Sequence, residues 1–317
     1  MAYGYITKLK NSLERKHVRF RNRFDMTLAG DLYTEKGIDE KNKYPAIIVG
    51  APYGGVKEQG PSVYANELAP RGYVVLTFDQ SFMGESSGEP RNVSDPSIFI
   101  ENFSACVDYL GTLPYVDREA IVVVGICGSG AFGISAAAQD TRIKAVATAA
   151  LFDIHFASRM GQTPEQIQAK KEKLSLQRWA DYEKGTPEYL PSFPEEVIEE
   201  KDIPEGLDPM SHEFFEFYAL KRGHHNSARG GFTSTSNLAM MNFPILDYIK
   251  EVSPRPILFI AGEKAISKFF TDNAYAAAAE PKEYIVVPNA NHIDMYDDVK
   301  KIPFDRIDAF FKKSLGK

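Results

Sequence analysis

A cysteine at position 127 is the residue whose surroundings most clearly favour chemistry. It lies between Gly125 and Gly130, in a segment that reads G-I-C-G-S-G and directly follows the apolar run Ala120–Val124. A strand that ends in glycines and small residues can present a side chain on strained backbone, because its neighbours are too small to collide. Elsewhere a lone cysteine is more often a small buried apolar residue. This pattern instead predicts that Cys127 is a nucleophile.

The segment resembles the nucleophile elbow of the α/β-hydrolase superfamily. Its usual pattern is G-x-S-x-G, whereas this chain has Cys127 in place of the serine and Ser129 in place of the second glycine. With a cysteine in the place of the serine, the segment resembles the elbow of the dienelactone-hydrolase-like branch of this superfamily. The resemblance covers roughly residues 44–150 and 256–317 and implies an α/β-hydrolase fold, with a mostly parallel central sheet flanked by helices.

A thiol needs a base or a positive field beside it, because the attacking species is the thiolate and a free cysteine titrates at about 8.5. His292 ends the loop Pro288–His292, after the last predicted strand. The resemblance implies that the catalytic histidine lies there. We therefore expect His292 to be the base, and a cysteine–histidine pair of this kind can already exist as an ion pair.

The resemblance also implies a catalytic acid after the strand that ends at Ala261, in a turn of the form G-E-K-D. Here the turn reads G-E-K-A, with Ala265 in the usual aspartate position. Three carboxylates remain open as the acid: Glu263, which we favour, Asp153 after the strand Ala145–Ala150 as the alternative, and Asp272 as the third.

Acyl transfer further requires hydrogen-bond donors for the developing oxyanion. The Gly128 N–H follows the nucleophile directly. The loop Ala51–Gly55 reads A-P-Y-G-G and resembles the H-G-x-G-G type of oxyanion loop. Since Pro52 has no N–H, we expect the Tyr53 N–H to be the second donor.

The elements that must position these residues alternate between strand and helix patterns. An N-terminal hairpin is expected from the alternating run His17–Phe24 and from Thr27–Tyr33. Continuous apolar runs follow, typical of strands buried on both faces and separated by helical patterns. The predicted strands are Tyr44–Val49, Tyr73–Phe78, Ile121–Val124, Ala145–Ala150, Pro256–Ala261 and Glu283–Val287, and the predicted helices are Pro61–Leu68, Ser97–Leu113, Ala131–Ala138, Asp272–Ala279 and Phe304–Leu315.

The alternation is interrupted between residues 154 and 242, which is too long for an ordinary crossover connection. Thr163 and Gln166 form a capping box around Pro164, so a helix is expected from Pro164 toward Lys184. A second helix is expected at His212–Lys221. We interpret residues 1–153 and 243–317 as the core, and residues 154–242 as a mainly helical cap inserted after the sixth strand.

Length and composition exclude several classes of function. The chain has 317 residues and a net charge of −6, so polyanions are not attracted in general and nucleic acid is not an expected partner. Its two cysteines cannot form a disulfide framework, and no apolar stretch approaches the roughly 20 residues that cross a bilayer. We expect a cytoplasmic protein with no membrane partner. No group of potential ligands has metal spacing, so neither a metal nor a cofactor is expected.

These features favour a hydrolase that cleaves a small ester, lactone or thioester. Cys127 would attack the carbonyl, His292 would act as the base, and an acyl-enzyme would form. The alternative is a non-catalytic protein that binds small ligands on a degenerate form of the same fold. In that case Ala265 would mark the loss of the catalytic aspartate. The oligomeric state stays open, a homodimer included.

Overall fold

An eight-stranded sheet forms the centre of the protein in the computed structural model, which describes residues 4–317. The strands are β1 (Leu13–Arg21), β2 (Thr27–Glu35), β3 (Tyr44–Gly50), β4 (Val74–Phe78), β5 (Val116–Ile126), β6 (Ile143–Ala149), β7 (Ile257–Gly262) and β8 (Lys282–Val287). Their order in the sheet is β1-β2-β4-β3-β5-β6-β7-β8. The hairpin strands β1 and β2 pair antiparallel, β2 pairs antiparallel with β4, and the remaining pairs are parallel.

Helices cover both faces of the sheet and follow its strands along the chain. Those of the core are α1 (Gly60–Leu68), α2 (Pro96–Thr112), α3 (Gly128–Gln139), α8 (Lys268–Ala277), α9 (Asp294–Asp297) and α10 (Phe304–Ser314). Between β6 and β7, in residues 154–242, which we call the inserted segment, lie α4 (Ile154–Arg159), α5 (Pro164–Lys184), α6 (Pro209–Tyr218) and α7 (Ser236–Asn242).

The central strands are buried on both faces, which explains why they lack a polar alternation. All five residues of β4 are buried. Ile48 of β3 packs into one apolar layer, and its neighbour Ile47 packs into the other, because successive side chains point to opposite faces. The predicted mostly parallel sheet with flanking helices is therefore confirmed.

Helix α5 shows how closely local signals can determine an element. The Thr163 hydroxyl accepts the Gln166 N–H, the Gln166 side chain accepts the Thr163 N–H, and Gly185 ends the helix with a φ of 76°. The helix therefore begins and ends at the two predicted residues. It has 21 residues, but among residues 4–317 no helix is both long and apolar enough to cross a membrane.

Two backbone bridges connect distant parts of the inserted segment into a short ribbon. Tyr189 pairs with Thr233, and Ser192 pairs with Gly230, both in antiparallel orientation. The ribbon carries Phe193 and Phe232. Both rings reach the site described below, so the inserted segment contributes side chains to that site.

Candidate active site

Cys127 occupies the turn between β5 and α3, as the glycine-rich pattern predicts. Its φ of 54° and ψ of −121° lie in a region that residues other than glycine rarely adopt. A Cβ atom added to Gly125 would lie 2.3 Å from the carbonyl oxygen of Ser129 and 2.6 Å from the Cα of Gly130. The small residues therefore allow the strand and the helix to approach closely, with the cysteine raised between them.

A cavity of about 190 Å³ lies beside the sulfur. Cys127 is only 4% exposed, so the cavity and not the outer surface gives a substrate access to it. The lining is mostly aromatic and comes from both the core and the inserted segment. It consists of Cys127, Tyr53, Phe152, Ile154, Phe193, Phe214, Tyr218, Gly230, Phe232 and Tyr296.

The two predicted oxyanion donors meet at the sulfur. The backbone N–H groups of Tyr53 and Gly128 both hydrogen-bond Cys127, and both lower the pKa of its thiol. Tyr53 is held by a 2.6 Å hydrogen bond between its hydroxyl and Ser94 Oγ, and its ring stacks on Phe232 at 4.4 Å. The two N–H groups can therefore stabilise negative charge on the oxygen of a carbonyl group whose carbon the sulfur attacks.

His292 lies in the loop after β8, fully enclosed by protein. Its ring is packed edge-on against Phe152 and Phe214, and the residue is 1% exposed. Its Nε2 atom is 3.0 Å from the hydroxyl of Tyr296, and its Nδ1 atom hydrogen-bonds Ser267 Oγ. Burial lowers the pKa of His292 to about 3.

Tyr296 follows His292 by four residues in the short helix α9, and sequence analysis did not identify it. Its hydroxyl hydrogen-bonds the sulfur of Cys127 as well as Nε2 of His292. The imidazole therefore connects to the thiol through a phenol. The spacing of four residues could have suggested that both side chains share a helical face, but a four-residue helix is too short to be recognised from periodicity.

The acid expected beside His292 requires a correction. Glu263 is exposed and accepts the Asn289 N–H at 2.9 Å, because the loop after β7 directs its side chain away from the ring. The Nδ1 partner is Ser267, two residues beyond the alanine that replaces the usual aspartate. The other two candidates are also engaged elsewhere: Asp153 caps α4 through the Phe156 N–H at 3.1 Å, and Asp272 contacts Lys268 and Tyr284, each at 2.7 Å.

The expected cysteine–histidine ion pair also requires a correction. Burial raises the pKa of the Cys127 thiol, and the hydrogen bonds that Tyr296, Tyr53 and Gly128 can donate to the thiolate form offset that effect only in part. Burial also lowers the pKa of His292. Both shifts favour the uncharged forms, because a charged group loses hydration in this enclosed site. The resting site therefore contains a thiol and a neutral imidazole.

Glu213 of α6 connects the inserted segment to the histidine loop, a role that sequence analysis missed. Its Oε1 atom accepts the backbone N–H groups of His292 at 2.6 Å and of Ile293 at 3.1 Å. The residue is buried, and burial raises the pKa of its carboxyl. Arg222 adds a second connection through Asp297 of α9, at 2.7 Å. The inserted segment thus helps to fix the position of His292.

A buried lysine lies under the loop that carries Tyr53. The Lys57 ammonium contacts Glu58 at 2.5 Å, Asp79 at 3.0 Å and Glu85 at 2.6 Å. These three carboxylates lie within 4.8 Å of one another, a spacing that would suit a metal ion. Because the ammonium already lies among them, the cluster is best explained as an internal ion-pair network that fixes the loop.

Most of this chain is similar to a known protein family and to a relative of known structure. The profile of the Alpha/beta hydrolase family matches residues 38–301. Uncharacterized protein PA2218 of Pseudomonas aeruginosa is 46% identical over 97% of this chain and 82% of its own length. Its crystal structure superposes with a TM-score of 0.93 at 44% identity, covering 98% of this chain and 97% of that one.

Two fungal relatives have names that state an activity. Polyketide transferase grgF of a Penicillium species is 26% identical over 96% of this chain and 99% of its own. Its crystal structure, described as an alpha/beta hydrolase, gives a TM-score of 0.78 at 26% identity, covering 96% of this chain and all of that one. Thiohydrolase aneE of Aspergillus aculeatus is 26% identical over 92% of this chain and 88% of its own. The profile match over most of the chain, together with the elbow at Cys127, shows that this protein belongs to the alpha/beta hydrolase family.

Proposed function

We propose that this protein hydrolyses a small acyl ester, lactone or thioester through a covalent intermediate on Cys127. The observation that carries the proposal is the convergence of two backbone N–H groups, from Tyr53 and Gly128, on a sulfur that borders a cavity. This is the arrangement that acyl transfer requires, since a nucleophile and an oxyanion site must adjoin the same carbonyl carbon.

The reaction follows from the positions of the groups. The sulfur attacks the carbonyl carbon while His292 receives the thiol proton, and the N–H groups of Tyr53 and Gly128 bind the oxyanion. The tetrahedral adduct then expels an alcohol or a thiol, which takes its proton from His292. Water attacks the acyl-cysteine while His292 accepts a proton from the water. The adduct then releases the carboxylic acid, and the Cys127 thiolate takes that proton back from His292. Expelling an amine would require stronger acid assistance, so cleavage of C–O or C–S bonds is favoured.

The cavity favours an apolar acyl group of modest size. Its volume of about 190 Å³ is below the roughly 300–1,000 Å³ of pockets that hold drug-sized ligands, and its walls are mainly aromatic. The name of one relative, thiohydrolase aneE, supports a thioester among the three substrate classes. The resemblance to the dienelactone-hydrolase-like branch rests on the cysteine at the elbow.

Turnover of a matched substrate series tests the proposal. Aryl esters, lactones and N-acetylcysteamine thioesters of two to eight acyl carbons would be assayed with the wild-type protein, Cys127→Ala and Cys106→Ala. Cys106 is the matched control, because it is the other buried cysteine and lies in α2. We expect Cys127→Ala to abolish turnover, Cys106→Ala to retain it, and mass spectrometry to detect an acyl adduct on Cys127.

The non-catalytic alternative predicts the opposite results. A protein that only binds a ligand would bring about no turnover of any member of the series, would form no adduct, and would retain its ligand affinity in the Cys127→Ala variant. Those three results together would overturn the proposal.

A further inference from the structure

We propose that Tyr296 is a catalytic residue that carries the proton between Cys127 and His292. This inference rests on the proposed function, because it assigns the path by which the nucleophile of that reaction is activated. It concerns a residue for which neither the sequence pattern nor the family match provided a role.

The geometry places one oxygen atom between the two reacting groups. The Tyr296 hydroxyl is 3.0 Å from Nε2 of His292 and hydrogen-bonds the sulfur of Cys127. The side chain also lines the substrate cavity. The two ring nitrogens of His292 have Ser267 and Tyr296 as their hydrogen-bond partners, so the imidazole reaches the thiol through the phenol.

Hydrogen-bond polarity gives the path a direction. A neutral imidazole has one N–H donor and one acceptor nitrogen. With the proton on Nδ1, the ring donates to Ser267 Oγ, and its Nε2 lone pair accepts the Tyr296 O–H. The phenol oxygen still has a lone pair available, which can accept the S–H of Cys127. The three groups thus form an ordered chain from thiol to phenol to imidazole.

Proton transfer along this chain balances without another reactant. The S–H bond of Cys127 breaks as its proton binds to the Tyr296 oxygen, and the original phenol proton moves to Nε2. The products are a thiolate, a neutral phenol and an imidazolium. Since burial holds the pKa of Tyr296 well above its usual value, a free tyrosinate is disfavoured, and the two transfers must be concerted. To release the leaving group, the phenol proton passes from Tyr296 to the departing alcohol or thiol, and the Nε2 proton of the imidazolium returns to the Tyr296 oxygen.

The surrounding residues hold the phenol in place. The ring of Phe217 packs edge-on against Tyr296 at 5.0 Å. The Tyr64 hydroxyl donates to the carbonyl of Met295 at 2.7 Å, which fixes the short helix α9. Tyr296 is itself fully buried, and its hydroxyl has a protein partner at each end of the path. These contacts satisfy the requirement that a relay group stays within hydrogen-bond reach.

The variant Tyr296→Phe tests the relay, because it keeps the ring and removes only the hydroxyl. Acylation would be followed in single turnovers with an aryl ester between pH 6 and 10, with Tyr73→Phe as a control for removal of a phenol far from the site. We expect Tyr296→Phe to slow acylation by about 10²- to 10⁴-fold at pH 7, the usual range for losing a proton-transfer group. Its rate should recover with rising pH as hydroxide ionises the thiol directly.

A second measurement remains decisive if Tyr296→Phe folds poorly. Replacing Tyr296 with 3-fluorotyrosine changes the acidity of the phenol and leaves its shape almost intact. The acylation rate should change, and the wild-type solvent isotope effect should vary with the deuterium fraction as expected for two protons moving together.

A Tyr296→Phe rate within threefold of wild type, with an unchanged pH profile, would overturn the relay. A one-proton isotope dependence together with no effect of fluorination would do the same. Absence of an acyl adduct on Cys127 in the wild-type protein is a separate outcome, since it would refute the proposed function itself.

Discussion

Ser267 Oγ and Nδ1 of His292 share a hydrogen bond at the edge of the imidazole opposite the one that contacts Tyr296. A hydroxyl can fix the orientation and the tautomer of the ring, as a carboxylate would. It brings no negative charge to stabilise an imidazolium. Nothing in this hydrogen bond therefore offsets burial, which lowers the pKa of His292 to about 3.

Removing the hydroxyl with Ser267→Ala should lower kcat/KM by about five- to tenfold. A neutral hydrogen bond contributes about 1 kcal/mol, and its loss frees the ring to rotate or to change tautomer. Steady-state kinetics with the best ester of the substrate series would measure the effect. Ser253→Ala is the matched control, since that serine is exposed and its hydroxyl donates to the Glu280 carbonyl outside the site. An unchanged kcat/KM in Ser267→Ala would show that packing alone orients the imidazole.

Alkylation of Cys127 by iodoacetamide should accelerate with pH. Burial raises the pKa of the thiol, so the thiolate fraction at pH 7 is small and should increase about tenfold per pH unit until the thiol has titrated. Alkylation rates between pH 6 and 10, followed by mass spectrometry in the Cys106→Ala background, would measure this. An ion pair would instead give a rapid and nearly constant rate from pH 6 upward.

The position of Cys127 at the turn could be predicted from sequence because the geometry of the turn is local. The strand β5, the turn at Cys127 and the helix α3 are consecutive, and the glycines that permit the turn lie within three residues of the sulfur. His292 could be placed because the loop after the last strand is a fixed position in the fold. The N–H of Gly128 could be placed as well, because Gly128 directly follows Cys127 in the turn.

The remaining site residues could not be predicted because their contacts join distant parts of the chain. Ser267 meets His292 across 25 positions, and Glu213 reaches the same loop across 79. The place of Glu263 in the turn favours it as the acid, yet the direction of a side chain in a loop depends on packing that the sequence does not display. Tyr296 is close to His292 in sequence, but its contact with Cys127 arises only when the sheet is assembled.

The buried imidazole should make the protein less stable as the pH falls. The folded state keeps His292 neutral down to a pKa of about 3, whereas the unfolded chain binds a proton below about pH 6.5. Since the unfolded state then binds more protons, the free energy of unfolding decreases as the pH falls from 6.5 toward 3. The loss should reach about 2 kcal/mol at pH 5, at about 1.4 kcal/mol per unit.

Urea denaturation at pH 7 and pH 5 would measure this contribution. The wild-type protein should lose about 2 kcal/mol more than His292→Gln, because the variant has no imidazole to protonate at this position. The control His212→Gln removes an exposed histidine that pairs with Glu216, and it should follow the wild-type trend. Parallel losses in the wild-type protein and His292→Gln would mean that the imidazole can be protonated in the folded protein.

Glu213 allows the hydrogen-bonding role of a carboxylate to be separated from its charge. Its Oε1 atom accepts the N–H groups of His292 and Ile293. An amide oxygen in Glu213→Gln can accept the same two bonds, whereas Glu213→Ala leaves both buried donors without their acceptor. Each unsatisfied group costs about 1–3 kcal/mol.

We expect Glu213→Ala to lower the free energy of unfolding by at least about 2 kcal/mol and to reduce kcat/KM, since the loop that carries His292 loses its connection to α6. Glu213→Gln should retain most of both quantities. Urea denaturation and ester kinetics on the two variants would measure them. Equal losses in the two variants would contradict this explanation, because they would show that the charge of Glu213, and not its acceptor atom, holds the histidine loop.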